Sequence, residues 1–178
     1  MNNELQGKSK SLSKILRHRP DGYSMDKNGW VPVSEILLNQ NLTIEELNEI
    51  VETNDKQRFT IEGDKIRANQ GHSIEVDLEF KVEIPPFILY HGTGEKNKDI
   101  IEKDGIKKMT RHHVHLSEDK HTAKSVGQRH GKPFIFEIKA RAMNTDGIKF
   151  YKSPNGVWLT DYVDPKYFSK FMEEKYNK

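Results

Sequence analysis

The sequence predicts an α+β protein built as two lobes, and three observations carry that expectation. Apolar residues in the first part recur at helical spacing and then give way to two short alternating runs. A proline pair, Pro85-Pro86, follows a stretch of alternating acids and stiffens the chain there. Beyond it, strand-like and helix-like segments take turns. A chain of 178 residues suits one domain or two small lobes, and the lobes are placed at 1–80 and 87–178.

The first predicted helix ends in "LSKILRHRP", Leu12 to Pro20. Leu12, Ile15 and Leu16 share one face, and Pro20 closes the helix. Arg17, His18 and Arg19 gather at its C-terminal end, where cations are locally favourable; they also suit an anionic substrate. "NGWVPVSEILLN" gives a turn at Asn28-Gly29, a short extended piece and a brief helix with Ser34 as N-cap. "TIEELNEIVETN" is a helix opened by a Thr43/Glu46 capping box, with Ile44, Leu47, Ile50 and Val51 on its apolar face. "RFTIEGDKIRAN" is a hairpin turning at Gly63-Asp64, with Phe59 and Ile61 matched across it by Ile66 and Ala68. Helices followed by a hairpin suggest a winged-helix lobe.

In the second lobe, "FILYHGT" reads as a strand running into a polar turn that carries His91, Gly92 and Thr93. "NKDIIEKDG" is a helix stopped at Gly105. "HHVHLS" is extended, with His113 and His115 on one face and His112 on the other. "DKHTAKSVGQ" is helical and "FIFEIKARAM" is a long strand. "IKFYKSPNGVWLT" is a hairpin turning at Pro154-Asn155-Gly156. "DPKYFSKFM" is a last helix with Pro165 near its start.

Composition excludes several classes. The chain has no cysteine, so disulfides, thiolate nucleophiles and Cys-ligated zinc are absent. No apolar run is long enough to span a bilayer, and the polar N-terminus lacks a signal-peptide core, so the expectation is a cytoplasmic protein without membrane contact. Net charge is only +2, but its distribution is uneven. Gly7 to Arg19 holds Lys8, Lys10, Lys14, Arg17 and Arg19 with no acid, and Lys107 to Lys132 holds seven Lys/Arg against two acids. Acids crowd Glu45 to Asp55 instead. That pattern is a directed field suited to anions.

The candidate sites are rich in histidine and arginine. His91, Gly92 and Thr93 can bring backbone and polar side chains to a ribose. In "TRHHVHLS", a His-x-His pair can hold a metal, but no further triplet completes a site, so no metal is expected. An anion or ribose site fits better, given Arg111 before it and Lys120, Lys124 and Arg129 after it. Arg58 opens the hairpin, and "QGHS", Gln70 to Ser73, leaves it with groups able to donate to phosphate. A serine triad, a P-loop and a dinucleotide fingerprint are all missing. Chemistry on phosphates, where neutralising charge outweighs general-base activation, suits this set.

Taken together and in order, "LSKILRH", "NGWVPV", "NDKQRF", "IRANQGHS", "LYHGT", "HVHLS" and "GQRHGKPFIFEI" closely resemble the RNA 2′-phosphotransferase family of tRNA splicing and RNA repair. The resemblance runs from Ser11 to about Thr160. It implies a winged-helix RNA lobe followed by an ADP-ribosyltransferase-like NAD lobe, with NAD+ as co-substrate. The family reaction has two steps. The RNA 2′-phosphate displaces nicotinamide from C1″ of NAD+, giving an ADP-ribosylated 2′-phosphate. The ribose O2″ then attacks the phosphorus, releasing RNA 2′-OH and ADP-ribose 1″,2″-cyclic phosphate. Motif by motif, the family's catalytic Arg-His-Arg-Arg set falls on Arg17, His18, Arg58 and Arg129, with Arg141 a distant rival for the last. The resemblance assigns His91, Gly92, Thr93, His115, Leu116 and Ser117 to NAD+, and Arg67, Gln70, His72 and Ser73 to RNA and its 2′-phosphate. His18 is left with two roles, binding phosphate or passing a proton. Arg19 is a bystander. The protein is expected to act as a monomer. The competing readings are ADP-ribosylation of RNA or DNA terminal phosphates, a non-catalytic winged-helix nucleic-acid-binding module, and a His-ligated metal phosphatase.

Overall fold

A computed structural model describes residues 3–54 and 56–169. It is α+β, and its contacts divide it into two compact units. One holds the chain up to Phe80 together with Thr110–His112 and Ser153–Asn155. The other holds Lys81–Met109, His113–Lys152 and the described residues from Gly156 on.

The first unit opens with helix α1 (Asn3–His18), which buries Leu5, Leu12 and Leu16 and ends in Arg17 and His18. Strand β1 (Val31–Pro32) leads directly into α2 (Val33–Gln40). Ser34 is therefore not the N-cap. Val31 pairs with the hairpin, Val33 N donates to Asp64 O (2.8 Å), and Pro32 occupies the capping position, so the helix starts two residues too early for Ser34. Helix α3 (Ile44–Glu52) carries the expected capping box. Glu46 N donates to Thr43 Oγ1 (3.2 Å) and Thr43 N to Glu46 Oε2 (2.9 Å). Leu47 and Ile50 are fully buried, but Ile44, in the first turn, is 42% exposed. Strands β2 (Phe59–Glu62) and β3 (Lys65–Ala68) form the hairpin in the expected register, Phe59 opposite Ala68 and Ile61 opposite Ile66. With β1 they make an antiparallel sheet of order β1-β3-β2. Leu12, Leu16, Ile36, Leu47, Ile50 and Ile66 fill the core beneath it.

The second unit follows a different plan. Its strands are short and antiparallel: β4 (Leu89–Gly94), β5 (Ile106–Lys107), β6 (Val114–Leu116), β7 (Pro133–Ile138), β8 (Tyr151–Lys152), β9 (Trp158–Thr160) and β10 (Tyr162–Val163). They pair as β4-β7, β6-β9-β8 and β10-β5. Helices α4 (Lys98–Asp104), α5 (Lys120–Gly127) and α6 (Ala140–Thr145) cover them. Leu89, Leu116, Phe136, Ile138, Met143 and Phe150 form the core. Gly105 stops α4 at φ +78°, as its sequence requires. Lys81 to Ile84 belong here too: Val82 bridges Tyr151, and Glu83 N donates to Phe150 O (2.8 Å).

Four expectations change in this unit. Strand β4 continues through Gly94, so His91, Gly92 and Thr93 are paired with Phe136, Ile135 and Phe134 inside a ladder, not placed in a turn. His112 and His113 precede β6, so the two-faced histidine alternation does not form. The long strand "FIFEIKARAM" stops at Ile138, where its partner β4 begins with Leu89. With no strand left to pair, the alanine-rich remainder folds as α6. The last expected helix is a 3₁₀ turn, Pro165–Tyr167. Lys139 N donates to Tyr167 O and Ser169 N to Glu137 O (both 2.9 Å), holding this segment extended along the end of β7. The part of that expected helix from residue 170 on lies outside the described residues.

Candidate active site

In the first unit, the end of α1 meets the exit of the hairpin. Ser73 N donates to Arg17 O (2.9 Å), and Ser73 Oγ lies 2.8 Å from His18 Nδ1. Arg17 is half-buried, and its Nε and Nη2 have no hydrogen-bond partner. His72 is 1% exposed, and neither ring nitrogen has a partner; the buried Oε1 of Gln70 has none either. Leaving such groups dry and unpaired costs about 1–3 kcal/mol each, more for a charged one. Arg58 is held by Asn54, whose Oδ1 accepts from Nη1 (3.3 Å). Arg67 lies 4.3 Å over the Trp30 ring and donates from Nη1 to Asn28 O (3.4 Å).

The electrostatics agree with the geometry. Burial, then Arg58 and Arg111, pull Arg17 down to about 10. Burial, then Arg17 and Arg111, hold His18 below its ordinary value. Burial, followed by Arg17, His112, His18 and Arg67, drives His72 down to about 3, so it is neutral at physiological pH. Among the described residues, no carboxylate contributes to any of these three shifts. The cluster is a concentration of like charge, which an anion would relieve.

Arg111 and His112 are the residues that sequence reasoning undervalued. They act on Arg17, His18 and His72 from within the same unit. The only sequence signal was an arginine beside a histidine run, and nothing local said which unit it would join. Arg129 is in the other unit, exposed on a 3₁₀ turn, Gln128–His130. Arg141, also there, is engaged elsewhere. Its Nε donates to Pro85 O (2.8 Å), and its guanidinium lies 4.9 Å from the Phe87 ring centre.

The second unit gathers His91, Gly92, Thr93, His115 and Ser117 on β4 and around β6. Tyr90 and Ser117 exchange two backbone hydrogen bonds of 2.8 Å, which fixes the two segments side by side. His91 Nδ1 lies 3.1 Å from His115 O. A carbonyl can only accept, so Nδ1 donates in this contact. Thr93 is buried, and its Oγ1 accepts from Asn97 Nδ2 (3.0 Å). Leu116 is 1% exposed and belongs to the core, so only its backbone can serve a ligand. The glycines let α5 press against β4. A Cβ on Gly92 would collide with Ala123 O, and one on Gly127 would lie 2.7 Å from Thr93 O. Among the described residues, no group of three or more His, Asp or Glu can hold a metal ion, and no helix is long and apolar enough to cross a membrane.

A half-buried arginine with unpartnered nitrogens, crowded by other arginines and set beside a buried neutral His72, defines a protein that binds and works on anionic groups, phosphate above all. The sequence profile of the RNA 2′-phosphotransferase, Tpt1/KptA family matches residues 3–162. A probable RNA 2′-phosphotransferase of Nostoc punctiforme is 52% identical over 171 residues, covering 91% of this chain and 94% of its own length. Relatives carrying the same name from Hahella chejuensis (48% identical, 95% and 96% covered) and Fusobacterium nucleatum (50%, 90% and 94%) are also similar. The chain belongs to the RNA 2′-phosphotransferase family and is an enzyme, a transferase.

Proposed function

We propose that this protein transfers an internal 2′-phosphate of RNA to NAD+, leaving RNA 2′-OH, ADP-ribose 1″,2″-cyclic phosphate and nicotinamide. The observation that carries this reading is the buried, unpartnered guanidinium edge of Arg17, crowded by Arg58 and Arg111. A phosphate already carries the nucleophile; it needs positioning and charge neutralisation more than activation by a base. Arginine supplies both, as a planar fork that stays charged. Arg129 remains the fourth member that the resemblance supplies, and Arg111, whose charge is felt by both Arg17 and His18, joins the phosphate-binding set beside it.

The first unit, three helices with a three-stranded antiparallel sheet, supports a winged-helix RNA-binding lobe. In it, Arg67, Gln70, His72 and Ser73 contact the RNA around its 2′-phosphate. His18 meets the phosphate from the solvent side. Bound phosphate would raise its pKa from the lowered value and let it hold a proton for the departing 2′-oxygen. The second unit, with its small paired antiparallel sheets, supports an ADP-ribosyltransferase-like lobe for NAD+, whose ribose carbon supplies the electrophile. The residues fit a dinucleotide: the His91 ring, fixed through Nδ1 against His115 O, lies against a ribose, and the glycines of β4 keep the strand flush with α5. Thr93, His115, Ser117 and the Leu116 backbone complete that set.

The test is an oligoribonucleotide with one internal 2′-phosphate, incubated with the protein with and without NAD+. NAD+-dependent appearance of the 2′-OH oligonucleotide and the cyclic phosphate is the expected result. Phosphate loss without NAD+ overturns the proposal. Turnover only on terminal phosphates, with ADP-ribose retained, would move the enzyme to terminal-phosphate modification.

A further inference from the structure

We infer that Asn54 is a positioning residue for the phosphate-binding arginine Arg58, and that its neutrality is the point of its chemistry. The inference rests on Arg58 acting as a phosphate ligand. Asn54 is 4% exposed. Its Oδ1 accepts from Lys56 N (3.2 Å), Arg58 N (3.4 Å) and Arg58 Nη1 (3.3 Å). One oxygen thus fixes both the backbone that presents Arg58 and one arm of its guanidinium. At the other end of the amide, Nδ2 lies 3.5 Å from Ser9 Oγ on α1, the helix that carries Arg17 and His18.

The rest of the loop is held as closely. Gln57 has φ +41°, a conformation rare for a residue with a side chain, and needs outside support. Asn69 provides it: Nδ2 donates to Gln57 O (2.6 Å) and its backbone N to Arg58 O (2.9 Å). Asn155 Nδ2 donates to Lys56 O (2.9 Å). Three asparagines therefore grip five backbone groups of residues 56–58, and of the three only Asn54 also bonds the guanidinium.

A carboxylate at position 54 would hold the loop equally well. Asp is the same shape, and the Ser9 hydroxyl can turn to donate to it. It would also pair with Arg58 and compete with the substrate phosphate for the same fork. The amide orients the arginine while leaving its charge for the substrate.

The experiment compares wild type, Asn54→Asp, Asn54→Ser and Arg58→Ala in thermal melting and in steady-state turnover of the 2′-phosphorylated oligonucleotide with NAD+. Asn54→Asp is expected to melt with wild type, raise the KM for RNA at least tenfold and leave the KM for NAD+ unchanged. Asn54→Ser keeps a hydroxyl for the turn but falls short of Nη1. It is expected to raise the RNA KM less than Asp does, and it serves as the test if the Asp protein does not fold. A folded Asp or Ser variant with wild-type kinetics overturns the inference. So does a uniform loss in kcat that tracks the folded fraction, which is what a purely structural role produces. If Arg58→Ala turns over like wild type, it is the phosphate role of Arg58 that falls.

Discussion

The two units treat their polar groups in opposite ways. The first collects cations and leaves several polar atoms unpaired: Arg17 Nε and Nη2, both nitrogens of His72, and Gln70 Oε1 are buried without a partner. The second is packed by shape. Gly92 and Gly127 admit α5 against β4, Thr93 is already bonded to Asn97, and the His91 proton is already committed to a carbonyl. A charged ligand rewards a site that tolerates repulsion until it arrives. The sugar and base parts of a nucleotide reward close fit. The first site is thus paid for in stability, and the second is sensitive to volume.

The comparison can be broken from either side. The largest effect is expected from Arg17→Ala, which removes the buried guanidinium and should lower kcat/KM for the 2′-phosphorylated oligonucleotide by about 10³-fold. The fold should be unharmed or slightly stabilised, since like charge is relieved. Next, Arg111→Ala should cost about 10²-fold in the same assay and exceed the loss in Arg129→Ala. The reverse order would give Arg129 the larger share of the phosphate role. On the side of shape, Gly92→Ala should destabilise the protein by about 3 kcal/mol in urea unfolding, because its Cβ meets the Ala123 carbonyl. An unchanged midpoint would mean that α5 does not press on β4 as described.

The pH dependence of stability follows from His72. Its folded pKa of about 3 lies below the value of an unfolded histidine. As pH falls through about 6.5 the unfolded chain takes up the proton first, so stability declines from there down to about pH 3, by up to about 1.4 kcal/mol per unit. His72→Asn should flatten that slope in urea titrations between pH 7 and 5. The smallest effect is expected from Thr43→Ala, which removes one half of the capping box and should cost about 1 kcal/mol with no change in turnover.

What could be read from the sequence was governed by local rules. The end of α1, the Thr43/Glu46 box, the Gly63-Asp64 hairpin and the stop at Gly105 depend on neighbours in the chain. Ser34 failed because Val31 found a partner strand, and "KARAM" failed because Ile138 ran out of one. The motifs singled out Arg17, His18 and Arg58, and the structure brings the first two to Ser73 and lets Arg58 act on Arg17. Arg111 and Asn54 were not singled out, since one acts through the unit it joins and the other through a loop with a positive φ at Gln57.

The bond between His18 and Ser73 spans 55 residues. A chain leaving the ribosome carries its first two catalytic candidates early, at the end of an amphipathic helix. It cannot complete their surroundings until the whole hairpin has emerged and the loop has closed, a step whose entropy must be met before the contact returns anything. Anion binding by the nascent chain is therefore a timing mark. It reports that the end of α1 and the hairpin exit have met, before Thr110–His112 and Ser153–Asn155 complete the first unit, and any truncation before Ser73 should abolish it while sparing much of that unit's helix content.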